Sequence, residues 1–255
     1  MPIAITRGIS PRFADCELTH QIRVPIDLLQ AEREHAAYAD ALRGLGLQVI
    51  ELPASTELPD CVFVEDAAVA LPECAVITRP GAASRRPETE AVATALKPWR
   101  ALLHIEAPGT LDGGDVLVLG KRILVGAGGR SNAEGIAQLG RLLAPWHYSV
   151  EAVPLRGCLH LKSAVTRVGE DTLLLNPEWV DAALFAGWRC IAVDPTEPDA
   201  ANALLTGDRL VYARHHVRTR ERLQDAGMEP VLVDAGEVAK AEGAVTCCSI
   251  ICDTA

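Results

Sequence analysis

The sequence predicts an α/β protein in which five ββα units close into a ring around a central axis. Three observations predict it. Pairs of β-rich runs joined by short turn signals recur along the chain, helix-like stretches separate them, and a fifth unit is split between the two ends of the chain.

Taken in chain order, AITRGIS at the start supplies one half of that split unit. AEREHAAYADALRGLG follows, with apolar positions at helical spacing and glycines near its end. CVFVEDAAVALPECAVITRPG places strand-like runs on both sides of LPEC, and ETEAVATALKPW after it looks helical. GGDVLVLGKRILVGAGG repeats the plan around Gly120-Lys121-Arg122. SNAEGIAQLGRLLAPW then reads as a helix with Asn132 as its N-cap. LHLKSAVTRVGEDTLLLNP turns at Gly169-Glu170-Asp171, and ANALLTGDRLVYARHH turns at Gly207-Asp208-Arg209. TRERLQDAGM is the last helix-like stretch, with Thr219 as a candidate cap, and GAVTCCSII is the strand that AITRGIS would pair. Val62, Asp115, His160, Asn202 and Thr246 fall at corresponding places, about 40 to 55 residues apart, the range of repeat architectures. Closing the ring removes the exposed ends of an open array and brings strand starts toward the axis, where a small ligand would sit.

Composition narrows the function. At 255 residues the chain is long enough for a sizeable core, and an apolar fraction of 49% excludes disorder. We expect one domain over residues 1–255. No apolar run approaches the roughly 18 to 20 residues of a membrane span. MPIAITRGIS is too short an apolar stretch for a secretory signal, so the expected location is cytoplasmic. A net charge of −10 disfavours nucleic acid and anionic membranes as partners and suits a cationic small molecule if the acids converge on a pocket. Eight cysteines without a CxxC pair are expected as thiols, with no structural zinc site.

Several segments carry candidate chemistry. In LPDCVFVEDAAV, Asp60, Glu65 and Asp66 interrupt apolar residues. Adjacent acids in a strand point to opposite faces, so one of Glu65 and Asp66 faces inward, where a carboxylate requires a cation; a strand end with solvated acids is the alternative. TRPGAASRRPETE offers Arg79, Arg85 and Arg86 on a loop suited to capturing a carboxylate, or merely a solvated turn. Arg130 holds the matching place one repeat later. LDGGDV sets two acids around a glycine pair that permits close approach of a ligand, or forms an ordinary turn. Cys247, Cys248 and Cys252 form a cluster that could be plain strand packing. His160 taken alone reads as a structural histidine. The repeat alignment changes both readings, because it brings Cys247, His160 and Asp112 to one end of the channel, beside Asp66 and Glu65: a nucleophile, a general acid/base and orienting carboxylates.

LPDCVFVEDAAV, ITRPGAASRR, GTLDGGDVLVLG, GRSNAEG, LHLKS and VTCCS, in this order and spanning nearly the whole chain, resemble the dimethylarginine dimethylaminohydrolase family of the guanidino-group-modifying superfamily. The resemblance implies a five-bladed α/β propeller of ββαβ repeats with pseudo-fivefold symmetry. It implies Cys247 as nucleophile, His160 as general acid/base and Asp112 as the carboxylate orienting it, in place of the Glu some members carry. It further implies Glu65 and Asp66 as guanidinium ligands, Asp60 as a ligand of the α-amino group, Phe63 as pocket lining, and Arg85 with Arg130 on the α-carboxylate. Leu18, in CELTH, matches a flexible lid whose backbone carbonyl helps bind the amino group. The implied reaction converts asymmetric dimethylarginine or monomethylarginine to citrulline and an amine through a covalent Cys247 thiouronium. No metal or organic cofactor is required, although Cys247 and His160 could bind adventitious, inhibitory zinc.

The nearest rival is an arginine deiminase releasing ammonia from free arginine, but those enzymes carry a large helical insertion for which this chain has no room. Agmatine deiminases and amidinotransferases are longer and differ in local motifs. A non-catalytic binding propeller, like the ribosome anti-association factor of similar architecture, would have no reason to gather Cys, His and Asp at one end of a channel. Monomer and homodimer both remain compatible with the sequence.

Overall fold

The computed structural model describes residues 1–252. Strand β1 (Ile3–Arg7) leads through helix α1 (Leu28–Gly44) to β2 (Gln48–Leu52), which pairs parallel to β1. The next sheet is the antiparallel hairpin of β3 (Ala68–Ala70) and β4 (Ala75–Ile77), followed by α2 (Glu88–Leu96) and a parallel β5 (Leu102–His104). The same plan repeats in β6 (Val116–Leu119), β7 (Arg122–Ala127), α3 (Ala133–Leu143) and β8 (Ser149–Pro154). A one-turn helix α4 (Leu161–Ala164) opens the fourth sheet, β9 (Val165–Arg167), β10 (Thr172–Leu175) and β11 (Arg189–Ala192); here a single 3-10 turn replaces the crossover helix. The fifth sheet holds β12 (Ala203–Thr206), β13 (Arg209–Ala213) and, beyond α5 (Val217–Asp225), β14 (Val231–Val233). After the short α6 (Gly236–Ala239), β15 (Ile250–Cys252) returns to pair antiparallel with β1.

Packing closes the circle. Ile3, Ile5 and Ile250 of the first sheet pack on Ala68, Ala75 and Ile77 of the second. Val69 and Val76 meet Val116, Ile123 and Val125 of the third. Leu117 and Leu124 meet Val165, Leu173 and Leu175 of the fourth, whose Val168 and Leu174 meet Ala203 and Leu210 of the fifth. Ala4 of the first sheet then packs in one cluster with Leu204, Val211 and Ala213 of the fifth. Each blade thus buries both faces against neighbours, and each fully buried Leu or Ile contributes roughly 1.5 to 3 kcal/mol. The result is a five-bladed α/β propeller whose first blade is built from both chain ends.

Local sequence explains the elements. Gly120 and Gly207 begin two-residue hairpin turns with φ of 65° and 58°, a region glycine enters without steric cost. The side chain of Asn132 caps α3 by accepting from the Gly135 amide at 2.8 Å. Helix α1 buries Ala31, His35, Tyr38 and Leu42 at helical spacing, and Asp27 caps it. The Thr219 expectation is corrected: α5 begins two residues earlier, and Thr219 lies inside it, fully buried, its hydroxyl accepting from the Asp194 amide. No helix among the described residues is long and apolar enough to cross a membrane.

A second correction concerns the strand starts. Val64–Ala67, Gly113–Asp115 and Thr246–Cys248 are single 3-10 turns preceding a strand, and His160 stands immediately before α4. Glu65 and Asp66 therefore do not alternate across a strand; both are buried. A tight turn exposes several successive amides and side chains toward the axis, which an extended strand could not do. These turns hold the candidate chemistry.

Candidate active site

Asp60, Phe63, Asp66, Arg85, Arg130, His160 and Cys247 line one cavity at the end of the central channel, together with Glu17, Leu159, Ala241, Glu242 and Gly243. Its free volume is about 20 Å³, room for roughly one water molecule. A larger cavity of about 360 Å³ lies on the other side of Leu159, Glu242 and Gly243, which line both.

His160 is held between carboxylates. Its Nε2 lies 3.1 Å from Asp112 Oδ2, and its Nδ1 lies 3.8 Å from Asp66 Oδ1, beyond hydrogen-bond range. Asp112 is completely buried behind the ring, and its other oxygen accepts from the Gly81 amide at 2.8 Å. The ring is thus anchored through Nε2, with Nδ1 on the side of Asp66. Burial alone would depress the imidazole, but Asp66, Asp112 and Asp115 outweigh it and raise its pKa to about 9. His160 is therefore an imidazolium at neutral pH, charged as an acid should be before it donates.

Asp66 is held in the opposite sense. Burial would raise its carboxyl, yet His160, Arg85 and the Gly114 amide hold it at about 2. Arg85 Nη1 donates to it at 2.6 Å and Gly114 N at 2.9 Å. Asp115, behind them, is pushed up to about 6 by burial, although Ser131 donates to it at 2.6 Å and the Leu161 amide at 3.1 Å. The glycine pair of LDGGDV permits these close contacts. A Cβ on Gly113 would stand 1.9 Å from the Glu65 carbonyl, and one on Gly114 would stand 2.7 Å from both Asp66 Oδ1 and His160 Nδ1.

The two arginines differ. Arg85 is 4% exposed and surrounded by acceptors: Asp66, Glu88 at 2.9 to 3.3 Å, and the Phe63 carbonyl at 3.0 Å. Most of its five N–H groups are committed to the protein. Arg130 is half-buried; its Nη2 reaches Thr19 Oγ1 at 3.2 Å, while its buried Nη1 has no protein partner. Arg79 and Arg86 turn to the carbonyls of Gly109 and Pro80, away from the cavity.

Glu65 and Leu18 stand outside the cavity lining. Glu65 binds Lys162 Nζ at 2.6 Å and accepts from Thr246 Oγ1 at 2.7 Å, while Asn202 Nδ2 donates to Thr246 Oγ1 at 2.9 Å. This network joins four blades and fixes the residue preceding Cys247. Leu18 packs on the core cluster that contains Phe13 and Phe63. Asp60 accepts from the Glu17 amide at 3.2 Å; burial raises its carboxyl against the pull of Arg85.

Cys247 faces the cavity, whereas Cys248 is buried in the core with Sγ 3.6 Å from the Ala244 carbonyl. Burial, then Glu65 and Asp66, push the Cys247 thiol well above its ordinary value. All eight cysteines are free thiols. Asp66, Asp112 and His160 bring ligand atoms within 4.8 Å of one another, but each is already engaged by the contacts above, which is unlike a vacant metal centre.

Sequence reasoning missed Glu88, Lys162 and Glu242. Glu88 had a signal, since it lies three residues after Arg85, the spacing of neighbours on one helical turn. Lys162 and Glu242 had none: the partner of Lys162 comes from another blade, and those of Glu242 come from the far end of the chain.

Comparison with known proteins adds the following. The family model described as arginine deiminase matches residues 53–196. An N(G),N(G)-dimethylarginine dimethylaminohydrolase from Streptomyces coelicolor is 44% identical over 249 residues, covering 97% of this chain and 95% of that protein. The protein of the same name from Pseudomonas aeruginosa is 34% identical, covering 88% and 89%. A crystal structure of a mutant of the Pseudomonas aeruginosa enzyme complexed with citrulline superimposes with a TM-score of 0.93 at 33% identity, covering 97% of this chain and 98% of that one.

Proposed function

Because the chain belongs to the dimethylarginine dimethylaminohydrolase family, we propose that it hydrolyses asymmetric dimethylarginine and monomethylarginine to citrulline and the corresponding methylamine, with Cys247 as nucleophile. The observation that carries this reading is the opposed charging of the cavity. An imidazolium, a carboxylate held at about 2 and a protonated thiol line one cavity.

A guanidinium is a resonance-stabilised cation and reacts only with a strong nucleophile. The negative surroundings that keep Cys247 protonated also favour a bound cation. That cation offsets Glu65 and Asp66 and releases the thiol proton to solvent, so substrate binding and nucleophile activation are one event. The thiolate adds to the guanidinium carbon. His160 donates its proton to the departing methylated nitrogen, and the C–N bond breaks to leave a thiouronium on Cys247. The now neutral His160 takes a proton from water as the oxygen attacks that carbon. The tetrahedral adduct expels the thiolate, and the hydroxyl proton leaves as citrulline forms. Asp112 keeps the ring oriented throughout.

Arg130 binds the α-carboxylate through its unpartnered Nη1, with Arg85 adding charge from behind. Asp60 and the Leu18 carbonyl receive the α-amino group, Phe63 lines the methylene chain, and Asp66 faces the guanidinium. Glu65 acts from outside the cavity by holding Thr246 in place and by its charge. Free thiols throughout support a reducing, cytoplasmic setting.

The test is incubation of the wild type and Cys247→Ser with asymmetric dimethylarginine, arginine and agmatine, assaying citrulline and the released amine. Citrulline with dimethylamine from the wild type alone supports the reading. Ammonia from arginine as the main product replaces it with an arginine deiminase.

A further inference from the structure

Glu242 stands five residues before Cys247, on the wall between the two cavities. Its backbone has φ of 57°, the left-handed region that a side chain other than Gly, Asn or Asp rarely enters. Such a conformation persists where surrounding contacts demand it. Here the carboxylate accepts from three consecutive backbone amides, those of Thr19 at 3.0 Å and of His20 and Gln21 at 2.5 Å. Three successive N–H groups directed at one anion form a compact anion nest.

Those amides belong to an exposed segment outside any helix or strand, whose Glu17 lines the small cavity. Its other ties include the Glu17 amide on Asp60, the Ser84 hydroxyl on Glu17 at 2.5 Å, Arg130 on Thr19, and Arg23 on the Cys16 carbonyl at 2.6 Å. Asp60 and Arg130 are the groups assigned to the substrate's amino and carboxylate ends. When substrate engages them, two of the ties weaken, while the Glu242 nest is untouched. His20 and Gln21 line the 360 Å³ cavity, and Glu242, which holds them, lines both cavities.

We propose that Glu242 is a positioning residue: its carboxylate latches residues 19–21 shut over bound substrate, and its release is the step that admits substrate and frees product. This rests on the reading of the site given above.

Glu242→Gly separates a latch from an ordinary structural role. Glycine adopts φ of 57° without strain, so the variant folds, with a melting temperature equal to or above that of the wild type. Removing the acceptor should speed amide exchange at Thr19, His20 and Gln21 at least tenfold, leave exchange in the five sheets unchanged, and raise KM for dimethylarginine roughly tenfold with kcat changed less than threefold. Glu242→Gln, which keeps the carbonyl acceptor, should recover part of both effects. Stability and affinity then move in opposite directions, which loss of a structural contact would not produce. Wild-type exchange at those amides in Glu242→Gly overturns the latch, as does an unchanged KM. Should the wild type leave dimethylarginine intact, the reading of the site fails, and amide exchange alone decides the latch.

Discussion

Replacing Arg85 and Arg130 by Ala should produce opposite defects, although both arginines are assigned to one carboxylate. Arg85 is 4% exposed and is the cation between Asp66 and Glu88, both themselves buried. Truncation leaves two buried carboxylates without their partner, a loss of roughly 3 to 5 kcal/mol. For a domain of this size that corresponds to a fall in melting temperature of about 6 to 20 °C. Arg85→Lys keeps the charge, but one ammonium cannot span Asp66, Glu88 and the Phe63 carbonyl, so it should recover only part of the loss. Arg130 holds a single hydrogen bond, to Thr19, and its removal should cost about 0.5 kcal/mol or less. Its buried Nη1 has no protein partner, so the bond it makes to a substrate carboxylate is not offset by one it must give up. Losing a charge-assisted bond of roughly 1.5 to 3 kcal/mol raises KM for dimethylarginine about 10- to 100-fold. Urea unfolding and steady-state citrulline assays on the three variants check both halves. A stable Arg85→Ala with raised KM, or a destabilised Arg130→Ala with normal KM, would refute the division of labour.

Further outcomes follow from the same geometry. Gly114→Ala should lower kcat about 100-fold, because its Cβ would stand 2.7 Å from Asp66 Oδ1 and His160 Nδ1 and must displace them; a kcat within fivefold of wild type contradicts that. Cys247→Ser should abolish turnover, whereas Cys248→Ser, altering a thiol buried in the core, should keep kcat within about threefold. With the thiol well above 9 and His160 near 9, the thiolate–imidazolium pair grows as pH rises, so kcat/KM should climb about tenfold per pH unit between 7 and 9. In kcat the climb should be shallower because bound guanidinium favours thiolate, and a flat kcat/KM profile over that range would defeat substrate-assisted activation. His160, raised from 6.5 to about 9 in the folded protein, contributes stability that is full below 6.5 and lost as pH passes upward through 9. Urea midpoints that do not fall between pH 7 and 10, or that fall equally in His160→Asn, would contradict this.

The architecture was legible because its signals are local. The hairpin turns at Gly120, Gly169 and Gly207, the cap at Asn132 and the matching of AITRGIS with the last strand all rest on residues within a few positions of one another, or on a repeat. The single turns ahead of the strands were not legible. A run of three or four residues, as at Thr246–Cys248, is too short to show a helical period, and its apolar content reads equally well as strand. Thr219 misled for a related reason: a hydroxyl near a helix start resembles a cap, and only the fold shows it serving Asp194. At the site, residue types and rough convergence could be read, but not saturation. RRPETE hints at the Arg85–Glu88 pair through its spacing, but nothing in it tells that Asp66 and the Phe63 carbonyl fill the rest of Arg85, nor that Glu65 turns to Lys162 from another blade.

The blade made from both chain ends has a consequence for biosynthesis. As the polypeptide leaves the ribosome, four blades can assemble, with His160 and Asp112 already in register, while β1 still presents an unpaired edge. The turn carrying Cys247 and the β15 partner of that edge follow the strands of the other four blades in chain order. Completing the seam between β1 and β15 and bringing in Cys247, the proposed nucleophile, are therefore one event. A chain in which β15 has not docked therefore lacks the proposed sulfur beside His160 and leaves the β1 edge open to non-native strand pairing.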